Sequence, residues 1–288
     1  MFEISTEDLI FWIKNTAIDS DDKESLYLLL DLIGGISKQD INYLKFSPEK
    51  TILIREKLNT LKNIWEKHKY ESVPIQYLAR NTYWRNFKFF ISNEVLIPRV
   101  ETEQIVDIVH ELFKDRKEML FVDLGTGSGA IAIAIASMFP DWNGIATDIN
   151  QCALRLAKQN FKKFSCRSNL KFYRGNWLIP LRKIAGEIDL LIANPPYIPK
   201  YFYERLPLSV KNYEPKVALY GGRDGLLHIS QIIRDAPSFL KKGGWLVMEH
   251  HFDQGHKVKN LMVKNGFDSI RIIKDFFGIG RFTIGKYN

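Results

Sequence analysis

Residues 121–134 carry the pattern that most limits the fold. Phe121-Val122-Asp123-Leu124 is followed by Gly125-Thr126-Gly127-Ser128-Gly129 and then by Ala130-Ile131-Ala132-Ile133-Ala134. A short apolar run enters a glycine-rich turn and leaves as an alanine/isoleucine helix. Glycines in such a turn let the backbone approach a ligand closely and leave the helix N-terminus open. Many glycine-rich turns serve packing alone, so the surrounding sequence has to decide. Apolar runs at 120–124, 144–147, 170–173, 188–193, 245–249, 269–274 and 282–284 are mostly separated by helical patterns. That rhythm predicts an α/β fold with a mostly parallel sheet covered on both faces.

Upstream the rhythm differs. Apolar residues recur at helical spacing in Leu9, Ile10, Trp12 and Ile13, in Leu26, Leu28, Leu29 and Leu32, and in Ile52, Leu53, Leu58, Leu61 and Trp65. Ser5 is an expected N-cap with Asp8 completing a capping-box-like pattern, and Gly34-Gly35 ends the second helix. Residues 1–80 therefore read as a small helical bundle. Residues 81–97 read as a β-hairpin bridge, with 83–89 as one strand, 92–94 as the turn and 95–97 as the other. Residues 98–288 form the α/β domain, and a chain of 288 residues accommodates both parts.

Composition excludes several classes. Apolar residues are 45% and charged residues 26%, as in globular proteins and unlike disordered or collagen-like chains. The start, MFEISTEDLIFWIKN, lacks a basic region followed by an apolar core, and a cytoplasmic location is expected. Cys152 and Cys166 have no CxxC spacing and no nearby histidine, so neither a disulfide framework nor a metal site is expected. The net charge of +8 invites a nucleic-acid reading. However, residues 1–80 hold 11 basic against 13 acidic residues, so the excess lies downstream. It gathers partly in Arg155, Lys158, Lys162, Lys163, Arg167, Lys171 and Arg174, a run read as a solvated face.

Asp148 follows Asp123 by 25 residues, at the end of the next expected strand. An acidic side chain there can accept both hydroxyls of a ribose, although it can equally cap the helix beginning near Gln151. The ribose geometry suits a nicotinamide dinucleotide or S-adenosylmethionine. Glycines at 125, 127 and 129, with an acid at 123, depart from the dinucleotide spacing GxGxxG. They resemble the first motif of class I S-adenosylmethionine-dependent methyltransferases, in which the acid lies near the methionine amino group.

The strand at 188–193 ends in Asn194-Pro195-Pro196-Tyr197. Strand ends of an open parallel sheet are where ligands bind. Two prolines remove two N–H donors, leaving a wall rich in acceptors. The Asn194 side-chain oxygen and the Pro195 carbonyl can accept both hydrogens of a planar NH2 group, with Tyr197 supplying a face. An amide or ring-attached NH2 is a poor nucleophile because its lone pair is delocalised. Holding it against a methyl donor contributes up to ~7–11 kcal/mol by removing translational and rotational freedom. No charged base is required.

Three further segments narrow the substrate. Leu96-Ile97-Pro98-Arg99-Val100-Glu101-Thr102-Glu103, Ile192–Ile198 around NPPY, and Tyr213–Leu226 (YEPKVALYGGRDGL) resemble LIPRPETE, SNPPYI and EPxxALxGGxDGL of the release factor glutamine methyltransferases. The likeness covers about residue 74 onward, including Met248-Glu249-His250, Gln254-Gly255, Asp275, Gly278 and Arg281. It implies a Rossmann-like methyltransferase domain with a seven-stranded sheet. It further implies methyl transfer from S-adenosylmethionine to the side-chain amide nitrogen of the Gly-Gly-Gln glutamine in peptide chain release factors.

By the same resemblance Asp123, Gly125, Thr126, Gly127, Ser128, Gly129, Asp148, Trp177 and Asn194 hold the cofactor. Asn194, Pro195, Pro196 and Tyr197 clamp the substrate amide. Arg99 and Glu101 shape the entrance or fix the hairpin by an ion pair, and Glu214-Pro215 and Gly221-Gly222 build a covering loop. The expected partner is a protein, with no membrane and no direct nucleic-acid contact. Val100, Asn176 and His251 depart from the family's usual Pro, Asp and Gly. Rival readings are a ribosomal-protein glutamine methyltransferase, an enzyme on adenine N6 or guanine N2, and a release-factor-binding protein without catalysis. The enzyme on nucleic acid lacks a visible strand-holding domain.

Overall fold

The computed structural model describes residues 1–17, 19–46, 50–164 and 168–288. Cys166 and Arg167 of the sequence reading lie outside the described residues. The chain separates into two compact units, Met1–Thr82 with Leu208–Tyr213, and Tyr83–Pro207 with Glu214–Asn288.

The first unit is built from short amphipathic helices. Thr6–Thr16 begins at Ser5, whose hydroxyl accepts from the Asp8 amide, and Ser20–Leu29 begins at Asp19, which accepts from Asp22. The second helix passes into one wider turn and stops at Gly35, whose φ of 73° is open to glycine without strain. Leu9, Leu26, Leu29, Leu30, Ile41 and Leu61 are fully buried in one core with Trp12 and Trp65. The helical spacing proposed through Ile52 and Leu53 is corrected. Thr51–Ile54 (β2) is a strand paired antiparallel with Phe2–Ser5 (β1). β-Branched Thr51, Ile52 and Ile54 suit a strand, and Ile54 is buried while Leu53 is exposed, a period of two that a few apolar residues did not reveal.

The hairpin is also shorter than expected. It consists of Asn81–Trp84 (β3) and Phe87–Phe90 (β4), with the turn at Arg85-Asn86, so residues 95–97 are no strand. Arg85 adopts φ 49°, and its amide and guanidinium bond Glu103 and Asp107. Tertiary bonds thus stabilise a turn whose residues give no strong local signal.

The second unit contains Leu120–Leu124 (β5), Asn143–Asp148 (β6), Asn169–Arg174 (β7), Ile188–Ala193 (β8), Leu240–Glu249 (β9), Phe267–Lys274 (β10) and Gly280–Tyr287 (β11). These form one seven-stranded sheet in the order β10-β11-β9-β8-β5-β6-β7. β9, β8, β5, β6 and β7 run parallel, while β11 is antiparallel to both β9 and β10. Asp123 pairs with Ile192 and with Ala146, so the carboxyl ends of β5, β8 and β6 lie side by side. The loops after these ends therefore converge, as open parallel sheets require of their ligand sites. Val122, Leu124, Leu191, Ile232, Leu246 and Met248 are fully buried in the core behind them.

Candidate active site

Gly125 and Thr126 both donate their amides to the Thr147 carbonyl, which seats the glycine turn on the end of β6. Three positive φ values, 74° at Gly125, 55° at Gly127 and 86° at Gly129, explain the glycine spacing. The three have different uses. A Cβ on Gly129 would strike Ile133 at 2.9 Å and Ala157 at 3.1 Å, so this glycine serves helix packing. One on Gly125 would reach Trp177 at 3.0 Å, whereas one on Gly127 would meet nothing within 4 Å.

The open side of Gly127 faces a cleft. Gly125, Gly127, Asp148, Trp177, Asn194 and Pro196 stand on its wall. Asp123, Thr126, Ser128 and Gly129 do not stand on it and instead build the turn beneath. Asp123 is buried and accepts from the Thr126 hydroxyl at 2.6 Å. Burial pushes its pKa up to about 7, against the hydrogen bonds of Thr126 and the Ala132 amide and with help from the Asp148 charge. Ser128 offers its carbonyl to Asn160 at 2.9 Å.

Asp148 accepts from the Gly127 amide at 2.9 Å and from Asn150 at 2.8 Å. Burial raises its pKa in spite of those amides. The helix-capping alternative falls to Asn150, which accepts from the Cys152 amide at 2.8 Å. That leaves Asp148 facing the cleft. The rest of the wall was not read from sequence. It includes Leu96, Ile149, Val217, Ala218 and His228, the last lying 5.5 Å from the Trp177 ring. His228 Nδ1 is buried without a hydrogen-bond partner among the described residues, and burial lowers its pKa. Apolar residues and a flat indole around an acid and an unpaired imidazole nitrogen suit an adenosine-bearing ligand.

At the end of β8 the tetrapeptide is fixed from three sides. Asn194 Nδ2 donates to Thr102 Oγ1 at 3.1 Å, Thr102 donates to Glu249 Oε2 at 2.8 Å, and Tyr197 OH donates to Glu249 Oε1 at 2.9 Å. Gln254 Nε2 donates to the Tyr197 carbonyl at 3.0 Å. Gly221 has no room for a side chain, because a Cβ would lie 2.8 Å from both the Pro196 carbonyl oxygen and Tyr197 Cα. Pro195 and Pro196 are buried, and Pro195 and Tyr197 are not on the cleft wall.

Arg99 and Glu101 do not line the cleft either. Arg99 pairs with the buried Glu214 at 2.7 Å, and the hairpin is held by Arg85, by Trp84, whose indole donates to the Arg99 carbonyl at 2.7 Å, and by Asn160. Among the departures, Val100 has φ −61°, the value a proline would impose, and His251 is not in the left-handed region.

Comparison with known proteins agrees with this geometry. The methyltransferase small domain family matches residues 99–201. A release factor glutamine methyltransferase of Prochlorococcus marinus is 36% identical over 282 residues, covering 97% of this chain and 96% of the relative. The chain belongs to the release factor glutamine methyltransferase family. A Coxiella burnetii member is 35% identical over 273 residues, covering 94% of each chain. The solved hMettl16 catalytic domain in complex with a MAT2A 3'UTR hairpin gives a TM-score of 0.57 at 16% identity, covering 79% of this chain and 78% of that one. That likeness is one of fold.

As a methyltransferase of this family the protein takes S-adenosylmethionine as methyl donor, and the cleft fits it. Gly127 leaves open space, Asp148 offers a carboxylate, and Trp177 and His228 stand together on the wall. Two family positions, Thr102 and Glu249, turn out to hold Asn194 and Tyr197. Nothing in their spacing signals this, since 92 residues separate Asn194 from Thr102 and 147 separate Thr102 from Glu249.

Proposed function

We propose that the protein methylates the side-chain amide nitrogen of the glutamine in the Gly-Gly-Gln motif of peptide chain release factors. The observation that carries this reading is the Asn194 amide at the cleft, its nitrogen engaged by Thr102 and its oxygen left for a substrate NH2. Bound S-adenosylmethionine supplies an electrophilic sulfonium methyl. Asn194 Oδ1 and the Pro195 carbonyl would accept the two amide protons, directing the nitrogen toward the cleft. In the transfer the N–C bond would form as the bond from methyl to sulfur breaks, and one amide proton would leave to solvent. Asp148 would hold the ribose hydroxyls, and Trp177 would cover the adenine. Among the described residues the cleft has no lysine or arginine on its wall, which suits a neutral amide. The helical unit, with Phe11 and Phe46 exposed, would recognise the protein substrate, and the cytoplasm is where that substrate is met.

Radiolabelled S-adenosylmethionine tests the proposal. Label should enter a purified release factor and disappear when its Gly-Gly-Gln glutamine is replaced. Label entering ribosomal protein, rRNA or DNA with the factor untouched would sink it.

A further inference from the structure

We infer that Glu249 is a positioning residue that sets, through Thr102, which atom of the Asn194 amide faces the substrate. This inference rests on the amide-methylation reading above. Its basis is the number of protons available along a chain of three hydrogen bonds.

A carboxylate accepts and cannot donate. Glu249 Oε2 lies 2.8 Å from Thr102 Oγ1, so the single hydroxyl proton of Thr102 is committed to Glu249. The hydroxyl then has only lone pairs for Asn194, 3.1 Å away, and only the Nδ2 end of the amide can bond to them. Asn194 Oδ1 is therefore the atom left for a bound NH2. Turned over, the amide would set its oxygen against an oxygen with no proton to give. It would also offer two N–H donors to a substrate that is itself a donor. Glu249 thus acts at two bonds' distance without touching substrate or cofactor.

The surroundings make this orientation firm. Glu249 is 1% exposed and Thr102 4%, so water does not compete at either bond. The second oxygen, Oε1, accepts from Tyr197 OH at 2.9 Å, so both ends of the tetrapeptide answer to one carboxylate. Burial keeps the Tyr197 phenol protonated and able to donate, and the Glu249 charge acts in the same direction. Glu249 is held in place by main-chain pairing with Phe282 on β11. Its pKa is pushed up to about 7 by burial and by Glu101, against Thr102, Tyr197 and the Arg281 guanidinium. Protonation gives one oxygen a hydrogen that must be donated, which conflicts with the two donors already pointing at it.

The test uses full-length protein with four variants, a release factor substrate and calorimetric S-adenosylmethionine binding. Thr102→Val, which keeps the shape and loses the hydroxyl, and Glu249→Gln should each lower kcat by roughly tenfold or more. Cofactor Kd should stay within about twofold, since a hydrogen bond not made to the cofactor contributes little to its affinity. Thr102→Ser should restore kcat, and Tyr197→Phe should be milder than Thr102→Val. Wild-type kcat should fall as pH drops through about 7, and Glu249→Gln should lose that limb. Thr102→Val turning over like wild type, Thr102→Ser as slow as Thr102→Val, or an unchanged acid limb in Glu249→Gln would each overturn the inference.

A separate readout needs no turnover. In protein labelled with 15N-asparagine, the Asn194 side-chain NH2 should exchange slowly in wild type and Thr102→Ser and quickly in Thr102→Val. Fast exchange in wild type refutes the positioning. Slow exchange with no labelling of the release factor refutes only the substrate reading.

Discussion

Truncating Asn194 to alanine removes the acceptor proposed for a substrate NH2 but leaves Gly125, Gly127, Asp148 and Trp177 on the cleft wall. The expected outcome is a kcat lower by at least ~100-fold, or ~2.7 kcal/mol in the barrier, with cofactor affinity changed only a few-fold. Single-turnover labelling and calorimetry on the same preparation check both halves. Asp123 gives a second test, through pH. Its folded pKa of about 7 stands above the ordinary 3.8, so its contribution to stability is complete below that ordinary value and is lost as pH rises through about 7. Ionising it in place costs on the order of 4 kcal/mol. Cofactor-free wild type should therefore melt lower at pH 8 than at pH 5.5. In Asp123→Asn the fall should shrink without vanishing, because Glu249 titrates in the same direction. An Asp123→Asn protein with the wild-type slope between those pH values would contradict this account.

Two glycines that look alike in sequence should behave differently within their loops. Gly225 has φ 77°, and a Cβ there would stand 2.2 Å from the Tyr197 carbonyl oxygen and 2.3 Å from Gln254 Nε2. Gly225→Ala should lower Tm by several degrees and displace the tetrapeptide, since backbone strain of ~1–2 kcal/mol adds to overpacking of ~1–3 kcal/mol. Gly127 has φ 55° with open space beyond it. Gly127→Ala should cost only the ~1–2 kcal/mol of strain in stability, while its methyl group raises the cofactor Kd tenfold or more. Thermal melts and calorimetry on both variants would separate the two cases, and equal losses of affinity would contradict them. The sequence shows such elements unevenly. β5 and β8 were legible to the residue, because both faces are largely buried and each apolar run is interrupted by a single aspartate, Asp123 or Asp189. β9 was legible only from Trp245, since Lys241, Lys242, Gly243 and Gly244 carry no apolar side chain although the strand starts at Leu240. The hairpin turn at Arg85 was not legible, because its stabilising partners lie 18 and 22 residues away. The same reason hid Thr102 and Glu249: the NPPY residues are contiguous, and the groups that orient them are not.

The two units divide the charge unevenly, and the near-neutral helical unit presents apolar side chains. Phe11 is 70% exposed and Phe46 89% exposed, and Phe11 borders a shallow groove with Ile10 and Leu44. Replacing both phenylalanines by serine should raise the KM for a release factor about fivefold or more without lowering Tm, because exposed apolar groups at recognition surfaces contribute to binding and little to folding. Unchanged KM would dissociate this face from substrate recognition. The order of the large sheet bears on the whole molecule in another way. β11 lies between β9 and β10, and its Phe282 pairs with Glu249 while the Arg281 carbonyl accepts from the His250 amide. β11 is the last of the described strands to leave the ribosome, yet it fills a gap beside strands made earlier. Until it arrives, β9 has a bare edge and the carboxylate that orients Asn194 lacks its lateral support. The strands that carry the glycine turn and the tetrapeptide are thus made before the strand that flanks Glu249.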